Sequence, residues 1–442
     1  MKNVLLVGAG KSATVLIDYL LEHAQSGDYR LTVGDLFRDT AAAKLQGHAR
    51  GEAIFFDVND PVLRHKTVAQ ADLVISMLPA RFHLLLLKDC VAQRTDFLSA
   101  SYVSDEMLEM EPDINASGIL VLKECGLDPG LDHMSAMAKL DGLRAQGADI
   151  REFETFTGGL VAPESENNPW KYKFTWNPRN VVLAGQGVVK FKHNGRFKYI
   201  PYHRLFQRYE TIAVPGYGQF EGYPNRDSLK YRDIYGLHDV ETLYRGTLRR
   251  PGFCRAWDVF VQLGMTDDSY FLEDVSTMTW REYTNSFLWW DDRQSAELKL
   301  AAYLKLDFQN DILERITWLG LLDDTPIGLD KATPAQVLQK KLEEKLAMEP
   351  DDRDMIVMLH KYIYRIDGQE HRIQASMVVT GDDATYTAMA KTVGLPLGIA
   401  ARNVLAGKIK GKGIMLPTDP SVYEPVLAEL SEHGIVFAET PF

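Results

Sequence analysis

Residues 4–13 read Val4-Leu5-Leu6-Val7-Gly8-Ala9-Gly10-Lys11-Ser12-Ala13, and this stretch decides the fold. Four consecutive apolar residues suit a strand covered on both faces. Beyond the glycines, Leu16, Leu20 and Ala24 recur at helical spacing, with Ile17 and Leu21 widening the stripe. Strand, G-x-G-x-x-A turn and helix, in that order, form the dinucleotide fingerprint in its required context. Gly8 permits the tight turn, Gly10 lets backbone approach a pyrophosphate, and Ala13 lets helix pack on strand. Amide N–H groups at the helix start meet the phosphate charge. Ala9, Lys11 and Ser12 complete the candidate loop. The bland alternative is a tight strand–helix turn with no ligand.

Outward from this turn, strand patterns recur at Leu31–Val33, Ala53–Phe56, Asp72–Met77, Asp96–Ala100 and Ile119–Lys123, with helix-length segments between them. This predicts an α/β fold: a Rossmann-type open, mostly parallel sheet with helices on both faces. Asp35 lies 25 residues beyond Gly10, at the end of the second strand. A carboxylate there accepts from the ribose hydroxyls of NAD and repels the 2′-phosphate of NADP. Arg38 keeps NADP open as the alternative, because its guanidinium would hold that phosphate. Later strand ends fall along the same crevice and carry Asp57-Val58, Ser76-Met77-Leu78-Pro79, Ser99-Ala100-Ser101 and Gly126-Leu127-Asp128.

The whole chain has 442 residues, 45% apolar and 25% charged, which is enough to bury a sizeable core. Its net charge of −12 argues against nucleic acid or an anionic membrane as the main partner. It leaves room for an anionic small ligand in a local cationic pocket. Cys90, Cys125 and Cys254 show neither disulfide nor metal spacing, which suits a reducing, cytoplasmic setting. No metal site is expected. The opening apolar run is too short for a signal peptide, and no uncharged run approaches the ~18 residues of a membrane span.

After Gly130 the texture changes. Residues 148–157 alternate as a strand does, and 165–250, rich in Tyr, Trp, Asn, Pro and Arg, read largely as loop. Residues 255–347 read as helices, with apolar periodicity in 296–306 and 310–322. Met355–Tyr364 and His371–Thr380 read as a hairpin across Asp367-Gly368, and Tyr386–Val393 and Leu397–Leu405 as two helices. Residues 408–413 read as a solvated hairpin turn and 349–354 as a turn or helix start.

On the substrate side, Gly126 to His133 (GLDPGLDH) is a turn leading into an amphipathic helix. Asp128 either caps that helix or holds an amine at the nicotinamide end of the crevice; both roles are compatible. His133 reads as structural. Arg226 and Arg249 sit in two arginine-bearing segments, 223–228 and 244–249. Guanidinium forks grip carboxylates, so the pair suggests capture of a polycarboxylate. The alternative is surface ion pairing, which is energetically minor.

Several longer segments carry a family resemblance. They are DLVISMLP (72–79), SASYVSDEM (99–107), KECGLDPGLDHMSA (123–136), TGGLVAPESENNPWKYKFTW (157–176), YPNRDS (223–228), ETLYRGTLRRPGF (241–253) and YTAMAKTVGLPLGIA (386–400). In this order they resemble the glutamate-forming saccharopine dehydrogenases, also called saccharopine reductases. The resemblance thins over 255–345. It implies hydride removal from the lysine ε-carbon of saccharopine, then hydrolysis of the imine to L-glutamate and 2-aminoadipate 6-semialdehyde. It also implies a homodimer and a place in lysine metabolism.

By motif match, Ser101, Tyr102, Asp128, Arg226, Thr247, Leu248 and Arg249 would contact substrate, with Asp128 and Tyr102 nearest the proton transfers. Gly8, Ala9, Gly10, Lys11, Ser12, Asp35, Asp57, Val58, Leu78, Leu127, Asp128, Pro129 and Thr175 would contact the cofactor. Some positions depart from the family pattern. Lys11-Ser12 replace an apolar pair, Ala80-Arg81 stand where an aromatic follows the proline, and Thr157 replaces a frequent cysteine. Asp35-Leu36 stand where fungal relatives show an arginine suited to NADP.

The expected organisation is a dinucleotide-binding domain (1–128 and 382–442), a substrate domain (129–250 and 346–381) and a helical insertion (251–345). Two other functions compete. One is reduction of another carboxyalkyl amine, of the carboxyspermidine type, and the other a non-catalytic nucleotide-binding role. Two substrate-facing arginines favour saccharopine, and an intact Tyr102, Asp128 and Arg226 favour catalysis.

Overall fold

The computed structural model describes residues 1–305 and 311–442. The strands in its first part are β1 (Lys2–Val7), β2 (Tyr29–Asp35), β3 (Gly51–Phe55), β4 (Leu73–Ser76), β5 (Asp96–Ser99) and β6 (Leu120–Leu122). There follow β7 (Asp149–Val161), β8 (Val188–His193), β9 (Arg196–Pro201), β10 (Glu210–Val214), β11 (Gly218–Pro224) and β12 (Thr242–Arg249). The chain closes with β13 (Asp354–Ile366), β14 (Gln369–Thr380), β15 (Gly413–Met415) and β16 (Ala438–Pro441).

The first sheet has the order β3-β2-β1-β4-β5-β6-β15, and its pairings are parallel. Strand order reverses between β1 and β4, so the crevice opens at the carboxyl ends of those two strands. Leu5 and Val7 of β1, Val74, Phe97 and Val121 pack with Leu86, Leu87, Cys90 and Ile114 on one face. Val4 and Leu6 point to the other face by strand alternation and are equally buried. Full burial of each such side chain contributes about 1.5–3 kcal/mol.

The helix Ala388–Leu405 packs against the helix Thr14–Ala24. A Cβ on Gly394 would fall 2.8 Å from the Leu16 nitrogen, so only glycine allows that approach. The two helices expected over 386–405 are one, running through Pro396. A proline removes one intrahelical bond, and burial on both sides of it keeps the helix continuous here.

The second sheet has the order β10-β11-β12-β7-β13-β14-β16, with β8 branching from β12 and pairing with β9. The expectation that 165–250 is largely loop is corrected: five of these strands, β8 to β12, lie there. They are short and rich in aromatic and charged residues, so their pattern emerges only through pairing with neighbours. The predicted hairpin is present as β13 and β14, with Asp367 (φ +51°) and Gly368 (φ +79°) at its turn.

Residues 408–413 are not a hairpin turn. They lead into β15, which adds to β6 in parallel. The 349–354 segment is a turn whose Asp352 is buried against Lys173 Nζ. The helical stretch contains Ala296–Tyr303 and Asp311–Leu319; positions 306 and 310 of the expected periodicity lie outside the described residues.

By contact pattern the chain divides into two units. One comprises Met1–Ile150, Tyr364–His371 and Met377–Pro441, the other Arg151–Ile363, Arg372–Ser376 and Phe442. Among the described residues no helix is long and apolar enough to cross a membrane.

Candidate functional site

In the first unit the glycine turn joins β1 to a short 3-10 turn, Lys11–Ala13, and then to the helix Thr14–Ala24. Gly8 has φ +101°, and a Cβ there would lie 3.1 Å from the Met77 carbonyl at the end of β4. A Cβ on Gly10 would meet nothing within 4 Å, and Gly10 and Lys11 are exposed. The Ala9 N–H donates to Asp35 Oδ2 at 2.8 Å, and the Phe37 N–H donates to Oδ1 at 2.9 Å. The Asp35 carboxylate is thereby pinned beside the glycine turn. Arg38 is exposed, and its Nε donates to the Ala53 carbonyl at 3.1 Å.

This cradle fits a dinucleotide: open backbone at Gly10 for phosphate and a fixed acceptor at Asp35 for ribose. Asp57 and Leu78 are half-buried near strand ends; Val58 and Leu127 are buried. Pro129 is buried in the turn that begins the helix Leu131–Ala145.

Along the same sheet, the loop after β5 carries Ser101 and Tyr102, and the turn after β6 carries Asp128. The structure brings these two segments together: the Tyr102 hydroxyl donates to Asp128 Oδ1 at 2.9 Å. Both side chains are partly exposed. A phenol paired with a carboxylate can pass and receive protons at a reacting centre.

Glu124 brackets Tyr102, a role that sequence reading missed. Its N–H donates to the Ser101 carbonyl at 3.2 Å, and its Oε1 accepts from the Val103 N–H at 3.0 Å. Glu124 adopts φ +57°, a left-handed conformation that costs a non-glycine residue of order 1 kcal/mol. Its other oxygen lies 3.0 Å from His133 Nε2, with both side chains buried. This gives His133 the structural role read for it. Only a nine-residue separation links the two in sequence, which is no recognisable pattern.

The second unit holds the arginines. In β11 and β12, Tyr223 registers with Thr247, Gly222 with Leu248 and Glu221 with Arg249. Arg249 is 5% exposed, with Tyr172, Tyr223 and Phe253 rings 5.2, 6.0 and 5.3 Å from its guanidinium carbon. One of its terminal nitrogens donates to the Leu248 carbonyl at 2.9 Å. Its Nε has no hydrogen-bond partner among the described residues. A buried guanidinium with an uncommitted donor favours an anion. Burial pushes the Tyr172 and Tyr223 phenols up from their ordinary pKa, so both stay neutral.

Arg226 follows β11, is exposed and has φ +53°. Thr247 is half-buried. Leu248 is fully buried, so its side chain faces the core, and Thr175 is 2% exposed. Thr157, at the position of the family cysteine, registers beside Thr247 across β7 and β12. Among the described residues no cluster of His, Cys, Asp and Glu is arranged to hold a metal ion.

Fold and site together define a Rossmann-type, dinucleotide-binding class of protein with a second sheet-based unit. The saccharopine dehydrogenase NADP binding domain profile matches residues 4–122, and the saccharopine dehydrogenase C-terminal domain profile matches 126–435. The chain is 35% identical over 448 residues to saccharopine dehydrogenase (NADP+, L-glutamate-forming) of Saccharomyces cerevisiae, covering 99% of each. It is also 35% identical to the mitochondrial alpha-aminoadipic semialdehyde synthase of Bos taurus, but spans only 47% of that protein's length. The apo structure of the S. cerevisiae L-Glu-forming saccharopine dehydrogenase superposes with a TM-score of 0.87 at 34% identity, covering all of both chains. A homospermidine synthase from Legionella pneumophila shares the fold alone, at TM-score 0.58 and 10% identity. The chain belongs to the saccharopine dehydrogenase family.

Proposed function

We propose that this protein is an NAD(P)-dependent oxidoreductase, a glutamate-forming saccharopine dehydrogenase of lysine metabolism. It interconverts saccharopine, water and the oxidised dinucleotide with L-glutamate, 2-aminoadipate 6-semialdehyde, the reduced dinucleotide and a proton. The dinucleotide, when bound, takes up hydride from the lysine ε-carbon or returns it. Gly8 to Ser12 seat its phosphates, with Asp35 on the ribose. Asp57, Val58, Leu78, Leu127, Asp128, Pro129 and Thr175 complete the set assigned to cofactor contact.

Asp128 and Tyr102 serve the proton transfers. The carboxylate takes the proton of the secondary amine, and the phenol it holds orients the water that attacks the imine. Arg226, Arg249 and Thr247 bind substrate carboxylates, with the Leu248 backbone beside them, and Ser101 is assigned to substrate contact.

The single observation that carries this reading is the Tyr102–Asp128 hydrogen bond at the open end of the parallel sheet. A non-catalytic nucleotide binder has no need of a phenol–carboxylate pair there. The pinned Asp35 carboxylate favours NAD over NADP, a difference from the relatives whose names specify NADP. The working form is a homodimer in the cytoplasm, which light scattering and fractionation test.

The deciding experiment follows reduced-nicotinamide absorbance with saccharopine and NAD, and separately with NADP. Turnover with saccharopine is expected, faster with NAD at low cofactor. Turnover of a different carboxyalkyl amine in place of saccharopine would overturn the substrate assignment.

A further inference from the structure

We propose that His83, backed by Ser76, is a positioning residue that fixes the Ser101 hydroxyl as a hydrogen-bond donor toward a substrate carboxylate. The proposal rests on the reading of Ser101 as a substrate contact. Ser76 ends β4, Ser99 ends β5, and His83 opens the helix His83–Gln93. The Ser76 hydroxyl lies 2.8 Å from His83 Nδ1, and the Ser101 hydroxyl 2.9 Å from Nε2. Ser99 Oγ accepts from the Ser101 N–H at 3.2 Å and lies 3.5 Å from Nε2. Ser76 and His83 are each 1% exposed and Ser99 is 0% exposed. Only Ser101 is half-buried, so the chain of hydroxyls and imidazole reaches the crevice at that residue.

The chemistry of the chain follows from proton counting. Burial, with a smaller contribution from the Lys123 charge, pushes the His83 pKa down to about 2. The ring is therefore neutral, with one donor and one acceptor nitrogen. With the proton on Nδ1, Nε2 accepts a hydrogen bond from the Ser101 hydroxyl, and Ser101 offers only lone pairs to the crevice. With the proton on Nε2, the Ser76 hydroxyl donates to Nδ1 and Nε2–H donates to Ser101 Oγ. The Ser101 proton then points to whatever occupies the crevice.

A carboxylate only accepts hydrogen bonds, so Ser101 can serve it only in the second arrangement, which is the one set in the chain before substrate arrives. Ser76 matters because it can supply a proton to Nδ1. A purely packing role for His83 would be indifferent to which nitrogen carries the proton.

The test uses the full chain and saccharopine turnover with Ser76→Ala, His83→Gln, Ser101→Ala and the Ser76→Ala/Ser101→Ala double variant. The expected result is a KM for saccharopine raised roughly fivefold by Ser76→Ala and about tenfold by His83→Gln, the scale of the net contribution of one ordinary hydrogen bond. The cofactor KM stays at the parent value, and kcat falls less than KM rises. In the Ser101→Ala background, Ser76→Ala adds nothing further. An unchanged saccharopine KM in Ser76→Ala, or effects that simply multiply in the double variant, overturns the proposal.

Nitrogen NMR of histidine-labelled chain, with the His83 signal assigned by its loss in His83→Gln, reads the tautomer without any substrate. A protonated Nε2 supports the assignment, and a protonated Nδ1 overturns it. Absence of saccharopine turnover by the unmodified chain would instead defeat the functional reading, and the tautomer would still decide the role of His83.

Discussion

The Tyr102 phenol donates to Asp128 Oδ1 at 2.9 Å, tying the loop after β5 to the turn after β6. Glu124 holds the backbone on both sides of Tyr102, so the pair is set by buried groups. Asp128→Asn and Tyr102→Phe are expected to lower kcat by about 10²–10⁴-fold, the usual range for a lost acid–base group. The cofactor KM should stay within about twofold, because the glycine turn and Asp35 are untouched. Steady-state kinetics decide this, and parent-like turnover in both variants rejects the assignment.

Asp35 accepts from both the Ala9 and Phe37 amides, so its charge cannot easily swing away from the ribose position. The parent chain is expected to show a higher kcat/KM with NAD than with NADP. Asp35→Ser should move that ratio toward NADP by roughly tenfold or more, since it removes repulsion of a 2′-phosphate. An unmoved ratio would show that the carboxylate does not select the cofactor.

Arg249 is buried among Tyr172, Tyr223 and Phe253 with Nε uncommitted. Arg249→Met and Arg226→Met are each expected to raise the saccharopine KM about 10–100-fold, equivalent to ~1.5–3 kcal/mol. Arg249→Lys should not restore it, because an ammonium lacks the planar fork. Rescue by lysine would reduce the site to a point charge.

Lys123 is fully buried beside Glu124, and its Nζ has no hydrogen-bond partner among the described residues. Burial pushes its pKa down to about 7 from the ordinary 10.5. Between these two values the unfolded chain binds more protons than the folded one, so this group's contribution to stability rises with pH. Below pH 7 the full cost of burying the charge is present. Lys123→Met is therefore expected to be more stable than the parent by about 1–3 kcal/mol at neutral pH. The advantage should shrink as pH rises toward 9, as urea midpoints will show. A constant difference across that range would mean that Lys123 stays protonated in the folded chain as it does in the unfolded one, its pKa not lowered by burial.

The parallel sheet was legible in the sequence because its central strands carry continuous apolar runs, as β1 does at Val4–Val7, joined by helix-length segments. The cofactor loop was legible for a related reason: a glycine turn and a later acid are local features with fixed spacing. Asp128 was legible as a turn carboxylate at a strand end and Tyr102 only through family motifs; their contact joins positions 26 residues apart.

What the chain dictated by itself was local: strand, turn and helix periods, the glycines at the turn, and which side chains could carry charge or protons. Tertiary structure alone decided that Glu124 brackets Tyr102, that His83 bridges two serine hydroxyls, and that Arg249 is caged by aromatic rings. It also decided that β8 to β12 are strands, because short polar strands gain their stability from cross-strand neighbours. Periodicity records which face of an element is buried. It does not record which distant group a buried donor or acceptor meets, because that partner is chosen only when the elements pack and every unpaired polar atom becomes costly.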